Sequence, residues 1–483
     1  MTSSQDTFLA AAADLLGPRG LTTDPDLLSP WLTDWRGRFT GRTLALASPG
    51  STAEVAALVR LCAEHGVPIV PQGGNSGMCG GATPDESGTA LLLSLRRLDA
   101  IAPINTDARQ VTCGAGTILE TLHHAAEAVG LRFPLTLGGK GSATVGGLIS
   151  TNAGGTQVLR HGSMRALVLG LEAVLADGSV FSALTPLKKD NRGFDLKQVL
   201  IGSEGTLGIV TAATLRLVPA VAERVVIWAG LTSLQRARAL LLACEDRLGG
   251  GVEGFEVMPA SSVAAVLAYD PGTRAPLTGD YAWHVLIEVV ADATGAADLR
   301  DRVETAIGDL FEAGLLDDAV ISSGEAQAEA LWRIRESIPL AERAQGPAVQ
   351  HDISVPVERM PDFVDAAVTE VETRFPGVRA VAFGHLGDGN VHFHALAPKG
   401  SDGPAWYAQT GKEISSLIHD RVVEWAGSIS AEHGIGQLKR DELERLGDPV
   451  SLALMRQIKR ALDPHGLLNP GKLVTLAPVG PTA

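Results

Sequence analysis

The 483-residue chain has no Lys/Arg-rich run, and 40 basic against 55 acidic residues leave a formal charge of −15. A duplex-binding surface needs a cationic footprint, so nucleic acid is not expected as a partner. No uninterrupted apolar stretch reaches the ~18 residues of a spanning helix, so no membrane span is expected. The first 18 residues carry no Lys or Arg and include Asp6 and Asp14, which argues against a secretory signal. Cysteine is scarce. Cys62, Cys79, Cys113 and Cys244 show no C-x-x-C spacing, which fits reduced, buried thiols of a cytoplasmic protein. Glycine is what abounds: 55 residues, about 11% against a usual ~7%, and clustered. With 45% hydrophobic and 20% charged residues, the chain reads as a globular enzyme of more than one domain.

Residues 43–47 read as a strand, and Ser51-Thr-Ala-Glu54 is a capping box opening a helix. Val55, Leu58, Val59 and Cys62 share one face of that helix, which Gly66 closes. The next strand, 67–70, runs into PQGGNSGMCGG (71–81), so a β-α-β unit delivers a glycine loop at a strand end. A further strand is expected at 110–113, then a second capping box at Thr117-Ile-Leu-Glu120 with Ile118, Leu122, Ala125 and Val129 lining one face before Gly130. Strands follow at 167–176, 199–201 and 206–218, with a hairpin turn at Asp177-Gly178. Lys188-Lys189-Asp190-Asn191 reads as a solvated loop. Past residue 220 the glycine clusters stop, and strands such as 225–228 and 284–290 alternate with helices such as 296–313. The expected class is α+β. Its parts are a first domain at 1–220 (with an N-terminal segment of about 1–42), a second at 221–434, and a mainly helical segment at 435–483 that packs back on the first.

The loop 71–81 holds five glycines in eleven positions. Successive N–H groups there can converge on a nest, and missing Cβ atoms let a pyrophosphate come close. Asn75 and Ser76 add side-chain donors. Neither G-x-x-x-x-G-K-[ST] nor G-x-G-x-x-G is present, so the P-loop and dinucleotide-fold fingerprints are lacking. Two more small-residue runs lie at 138–155 and 202–211. One such loop could be a tight surface turn; three in one domain point to a large phosphate-bearing cofactor.

The loop 71–81, TVGGLISTNAGGTQVLRHGSM (144–164), GLEAVLADG (170–178) and IGSEGTLGIVT (201–211) together resemble the vanillyl-alcohol-oxidase type of FAD-binding domain. The resemblance implies that Gly73, Gly74, Asn75, Ser76 and Gly77 hold the FAD pyrophosphate. It further implies cofactor contacts from Pro71, Leu137, Gly141, Ser142, Thr144, Gly147, Asn152, Gly154, Glu204, Gly205, Ile209 and, in the tail, Asn469. Some relatives tether FAD through a histidine. None lies in 71–81, so non-covalent FAD is expected.

Five of the twelve histidines (His385, His392, His394, His419, His433) fall close together. In FGHLGDGNVHFH (383–394), a two-residue hairpin loop at Asp388-Gly389 would set His385 directly opposite His392, Cβ atoms ~4.5–5.5 Å apart. A polar hairpin facing water is the plain alternative. AEHGIG (431–436) adds Glu432 beside His433, and two imidazoles with one carboxylate suit Zn²⁺ or a similar divalent ion.

HLGDGNVH with EHGIG, and DPHGLLNPGK (463–472), are similar to the D-2-hydroxyacid dehydrogenases, the branch of that superfamily that includes D-2-hydroxyglutarate and D-lactate dehydrogenases. By that resemblance His385, His392 and Glu432 are metal ligands and His433 is the catalytic base. The implied reaction oxidises a D-2-hydroxy acid to the 2-oxo acid, with hydride passing to flavin N5. His433 as a fourth metal ligand stays open.

Arg335 in LWRIRESIP (331–339) matches the arginine that grips a carboxylate in hydroxyglutarate-type relatives; a surface arginine paired with Glu336 is the alternative. Gln350 stands where those relatives commonly carry lysine, and His394 where they carry asparagine. His394 shares a strand face with His392 and could contact the substrate, add a ligand or pack. The particular acid is left open. Electrons would leave, by the same resemblance, to an electron-transfer flavoprotein or a quinone-linked carrier. An oxygen-using oxidase of alcohols or sugar lactones and a non-catalytic flavin subunit are the competing readings. The oligomeric state is open, a homodimer among the options.

Overall fold

The computed structural model describes residues 3–187 and 189–476, so Lys188 and the chain ends lie outside the described residues. Contacts divide the chain into two units: Met1–Gly155 with Gly162–Val218 and Glu432–Ala483, and Thr156–His161 with Pro219–Ala431.

In the first unit, helix Thr52–His65 forms where its start and stop signals lie. Ser51 Oγ accepts from the Glu54 N–H at 3.2 Å, and Gly66 ends the helix at φ 64°. The Glu54 carboxylate reaches back to the Gly50 N–H rather than to that of Ser51. The helix links Leu46–Ala47 to Ile69–Gln72, and both strands run parallel to Leu91–Ser94 between them. The chain therefore leaves Gln72 straight into the glycine loop. A second, antiparallel sheet runs Gln110–Gly114, Ile209–Arg216, Val168–Val174, Val180–Ala183.

Three local expectations fail. Only Leu46–Ala47 of 43–47 pairs as a strand. The second capping box does not form, because Thr117 Oγ1 donates to the Asp99 carbonyl at 3.2 Å. Helix Leu119–Glu127 consequently buries Leu119, Leu122 and Ala126, leaving Ile118 and Val129 exposed. Residues 199–201 close a short helix, Leu196–Leu200, in which the Ile201 N–H donates back to the Lys197 carbonyl.

Helix Pro449–Leu462 begins at Asp448, whose carboxylate accepts from the Ser451 N–H at 2.7 Å. Near its end the buried Lys459 ammonium donates to Asp463, to the Thr206 carbonyl at 2.7 Å and to the Leu468 carbonyl at 2.9 Å. Asp463 in turn accepts the N–H groups of Leu467 and Leu468, both at 2.8 Å. This charge pair staples the tail, which continues with the Asn469 N–H donating to Ile69.

The second unit is built on a seven-stranded antiparallel sheet, ordered Asp318–Ile321, Glu223–Leu231, Trp283–Ala291, Val252–Pro259, Arg379–His385, Asn390–Leu396, Ala348–Ser354. Helices Ala260–Tyr269 and Glu325–Ala344 cover one face, packing Trp228, Met258, Leu286, Leu331, Trp332, Ile338 and Phe383 into one core. Among the described residues no helix is long and apolar enough to cross a membrane.

Removing the Lys459 ammonium strands a buried carboxylate. Lys459→Ala should cost ~3–5 kcal/mol, read as a lower thermal midpoint. The double change K459M/D463N should recover part of that loss, because neither charge then remains buried alone.

Candidate active site

In the glycine loop of the first unit the carbonyls and the N–H groups differ in their pairing. Arg96 donates to the carbonyls of Gly73 and Gly74, both at 3.1 Å. Among the described residues the N–H groups of Gly73–Gly77 find no acceptor, which is the arrangement of an anion nest. The loop lies flat on the next small-residue run: a Cβ on Gly74 would sit 1.8 Å from the Ser142 carbonyl oxygen, whereas one on Gly77 would meet nothing within 4 Å. A phosphate-bearing group such as FAD fits these residues: their N–H donors have no acceptor among the described residues, and a side-chain-free flank is open beside Gly77.

Four of the seven non-glycine residues with positive φ among the described residues are Asn75 (54°), Asn152 (50°), Glu204 (52°) and Asn469 (42°). All four belong to the expected cofactor set, and strained backbone is retained mostly where function requires it. Asn75 donates to the Thr33 carbonyl at 2.9 Å. The Asn152 side-chain oxygen is taken by Ser163 and the Arg165 N–H. Asn469 donates to the carbonyls of Gly81 and Glu204 and keeps its own buried oxygen without a partner. Thr144 caps helix Val145–Thr151 by accepting from Gly147. Ser142 donates to Gly139, the side of Gly141 lies against Glu120, and Gly205 packs on Pro71. Leu137 is partly buried against the core, Gly154 is half-buried, and Ile209 is wholly buried.

The histidine hairpin of the second unit has a register different from the expected one. Residues 386–389 form a four-residue loop, closed by the Gly389 N–H donating to the His385 carbonyl at 3.1 Å, with Gly389 at φ 78°. His385 therefore pairs with Asn390, and Phe383 with His392. Diagonal neighbours still share a face. The two imidazoles lie with ring centroids 5.5 Å apart and planes at 75°. His394, two residues on, shares that face and sits edge-on to Phe383 at 5.1 Å.

A set of carboxylates that the sequence reading missed stands behind these rings. Glu256, opposite His385 in register, hydrogen-bonds His385 Nδ1 and accepts from Arg335 Nε at 2.7 Å. Glu342 hydrogen-bonds His394 Nδ1. Asp352, opposite His392, accepts from Asn390 at 2.9 Å, and Gln350 lies opposite His394. Arg335 is buried rather than on the helix surface, its guanidinium 4.9 Å from the Phe383 ring. Trp332, Arg335, Ile338 and Glu342 are successive inward positions of helix Glu325–Ala344. The signal for the missed residues was acidic side chains within apolar strands and on an inward helix stripe, where a carboxylate must have a partner.

Burial pushes the Glu256 carboxyl up, but the charges of His385 and Arg335 outweigh it and hold it below the usual range. Burial lowers the pKa of His392, and the charges of His385 and Arg335 push the same way, so its imidazole is neutral. Glu432 and His433 fall in the first unit, directly after Ala431, whose N–H donates to the Asp352 carbonyl at 3.4 Å.

Two family models match the chain: the FAD binding domain over residues 43–183, and the C-terminal domain of FAD linked oxidases over 221–473. D-2-hydroxyglutarate dehydrogenase of Xanthomonas citri pv. viticola is 38% identical over 454 residues, 94% of each chain. The mitochondrial D-2-hydroxyglutarate dehydrogenase of Bos taurus is 36% identical over 472 residues, 96% of this chain and 83% of that one. Among solved structures, p-cresol methylhydroxylase with substrate bound superposes with a TM-score of 0.74 at 16% identity, covering 98% of this chain and 97% of that one. That last likeness bears on the fold alone.

Glu256→Gln leaves the Arg335 guanidinium without its counterion and His385 Nδ1 without its carboxylate. It should lower stability by ~3–5 kcal/mol, measured by thermal unfolding, and loosen Arg335, measured as weaker binding of any anionic ligand to the oxidised protein.

Proposed function

The chain belongs to the FAD-linked oxidase family together with the D-2-hydroxyglutarate dehydrogenases, and on that premise we propose that it oxidises a D-2-hydroxy acid to the 2-oxo acid with FAD and a divalent metal. The class is an FAD-dependent dehydrogenase acting on CH–OH donors, on the vanillyl-alcohol-oxidase type of fold. In this reading His385, His392 and Glu432 hold the ion, and a ring nitrogen of His433 accepts the hydroxyl proton. Bound FAD supplies the hydride acceptor and the ion supplies the charge that acidifies the substrate hydroxyl.

The observation that carries the proposal is the pair of adjacent imidazoles with Glu256 behind one of them. A metal-binding histidine commonly gives its other ring N–H to a carboxylate, which fixes the tautomer and aims the remaining nitrogen. A neutral His392 offers a lone pair without first losing a proton. Glu256 also holds the Arg335 fork by Nε, and its two terminal amino groups find no acceptor among the described residues. They suit a substrate carboxylate. Gln350 carries no charge and His394 is tied to Glu342, so a second carboxylate, where the substrate has one, falls to Arg335.

Anaerobic addition of D-2-hydroxy acids should bleach the flavin, L-enantiomers should not, and a panel with and without a second carboxylate identifies the substrate. Chelation should abolish bleaching with FAD still bound; full activity in a metal-free sample would remove the ion from the proposal. His433→Ala should keep the metal and FAD yet slow flavin reduction by ~10²–10⁴-fold. An emptied metal site in that variant would make His433 a ligand.

A further inference from the structure

The turn that follows His433 is held by a carboxylate from elsewhere in the same unit. Glu204 is buried on the GSEG turn, with its own N–H donating to the Ser150 carbonyl at 2.8 Å. One carboxylate oxygen accepts from the Ile435 N–H and the other from the Gly436 N–H, each at 2.7 Å. Two successive N–H groups beside a glycine at positive φ make an anion nest, and here the protein's own carboxylate fills it. Gly434, at φ 75°, has no room for a side chain: a Cβ would lie 2.9 Å from Glu204 Oε1. On the far side, the Gly436 Cβ position is 2.2 Å from the Cys79 carbonyl oxygen, which also accepts the Gln437 N–H at 2.9 Å. The backbone of Glu204 is fixed too, because its carbonyl accepts from Asn469 at 2.7 Å.

We infer that Glu204 is a positioning residue for the proton transfer at His433: by clamping the N–H groups of residues 435 and 436 it fixes the chain immediately after 433. This rests on the function proposed for His433. It gives Glu204 a task other than touching the cofactor, and it removes the 435–436 nest as a site for a substrate carboxylate. A carboxylate accepts two N–H groups at once, whereas an amide offers one oxygen and turns a donor toward the other N–H. A 1 Å misplacement of a reacting group can cost ~10²-fold in rate.

The test is Glu204→Gln in the FAD-loaded, metal-loaded full chain, with Glu204→Asp as the conservative comparison. Two readouts are needed: hydrogen exchange of the 432–438 segment, and anaerobic flavin reduction by the substrate across pH. E204Q should exchange faster in 432–438 and reduce its flavin ~10–10²-fold more slowly, with substrate affinity within about threefold and a shifted pH midpoint for reduction. E204D should recover part of the rate. Unchanged exchange would overturn the clamp, and faster exchange with an unchanged rate and pH profile would overturn the positioning role. If E204Q loses FAD, Gly434→Ala strains the same turn from its other end, and normal flavin reduction in that variant would sink the inference. Wild-type protein that bleaches with no 2-hydroxy acid defeats the proposed function instead, and the exchange result then still decides whether Glu204 holds the turn.

Discussion

The Glu256 carboxylate, sealed in the middle of a sheet, has to find positive partners, and the arrangement of the second unit's polar face follows from that requirement. An isolated buried carboxylate would cost far more than the fold can offset. Glu256 meets Arg335 from the covering helix and His385 from the adjacent strand, so one anion fixes two side chains at once. The carboxylate takes Nδ1 of His385 and Nε of Arg335, which fixes how both side chains are turned.

The first unit meets a different constraint, close approach of backbone to backbone. The loop at 73–77 lies against residues 142–144 at a distance that excludes a Cβ on Gly74. Asn75, Asn152, Glu204 and Asn469 hold left-handed backbone where an ordinary side chain is disfavoured. Such conformations persist because neighbours over-determine them. Asn469 is held at its N–H by Ile69 and at its side chain by Gly81 and Glu204, and the tail that carries it is fixed by Lys459 and Asp463.

Local signals made much of this legible. The Ser51 cap and Gly66 stop define one helix, and the glycine count at 71–81 marks the loop after Gln72. What local signals could not reach was partnership between distant residues. Thr117 looked like a helix cap and instead donates to Asp99, a choice decided by the chain folding back. Asp388-Gly389 looked like a two-residue hairpin loop. Four residues turn there instead, so His385 and His392 meet diagonally, and the shared face survives because the shift moves the pairing by an even number of residues. Glu256 and Glu342 are illegible for the same reason: a lone carboxylate in an apolar segment announces that a partner exists but not which one.

The two faces of the seven-stranded sheet allow a comparison within one element. The face carrying Phe255, Val257, Val285, Ile287, Val289, Val391 and Phe393 is apolar through its middle strands. On the opposite face Glu256 and Glu288 of the sheet hold Arg335 and Trp332 of a single covering helix, and Glu342 of that helix holds His394 of the sheet. Well-packed apolar replacements are often neutral or more stable than buried ion pairs, so stability does not explain why one face differs from the other. Each of these carboxylates orients a nitrogen-bearing side chain, and the two that hold histidines do so from behind the ring. Directing where imidazole and guanidinium nitrogens point is a task that apolar packing cannot perform.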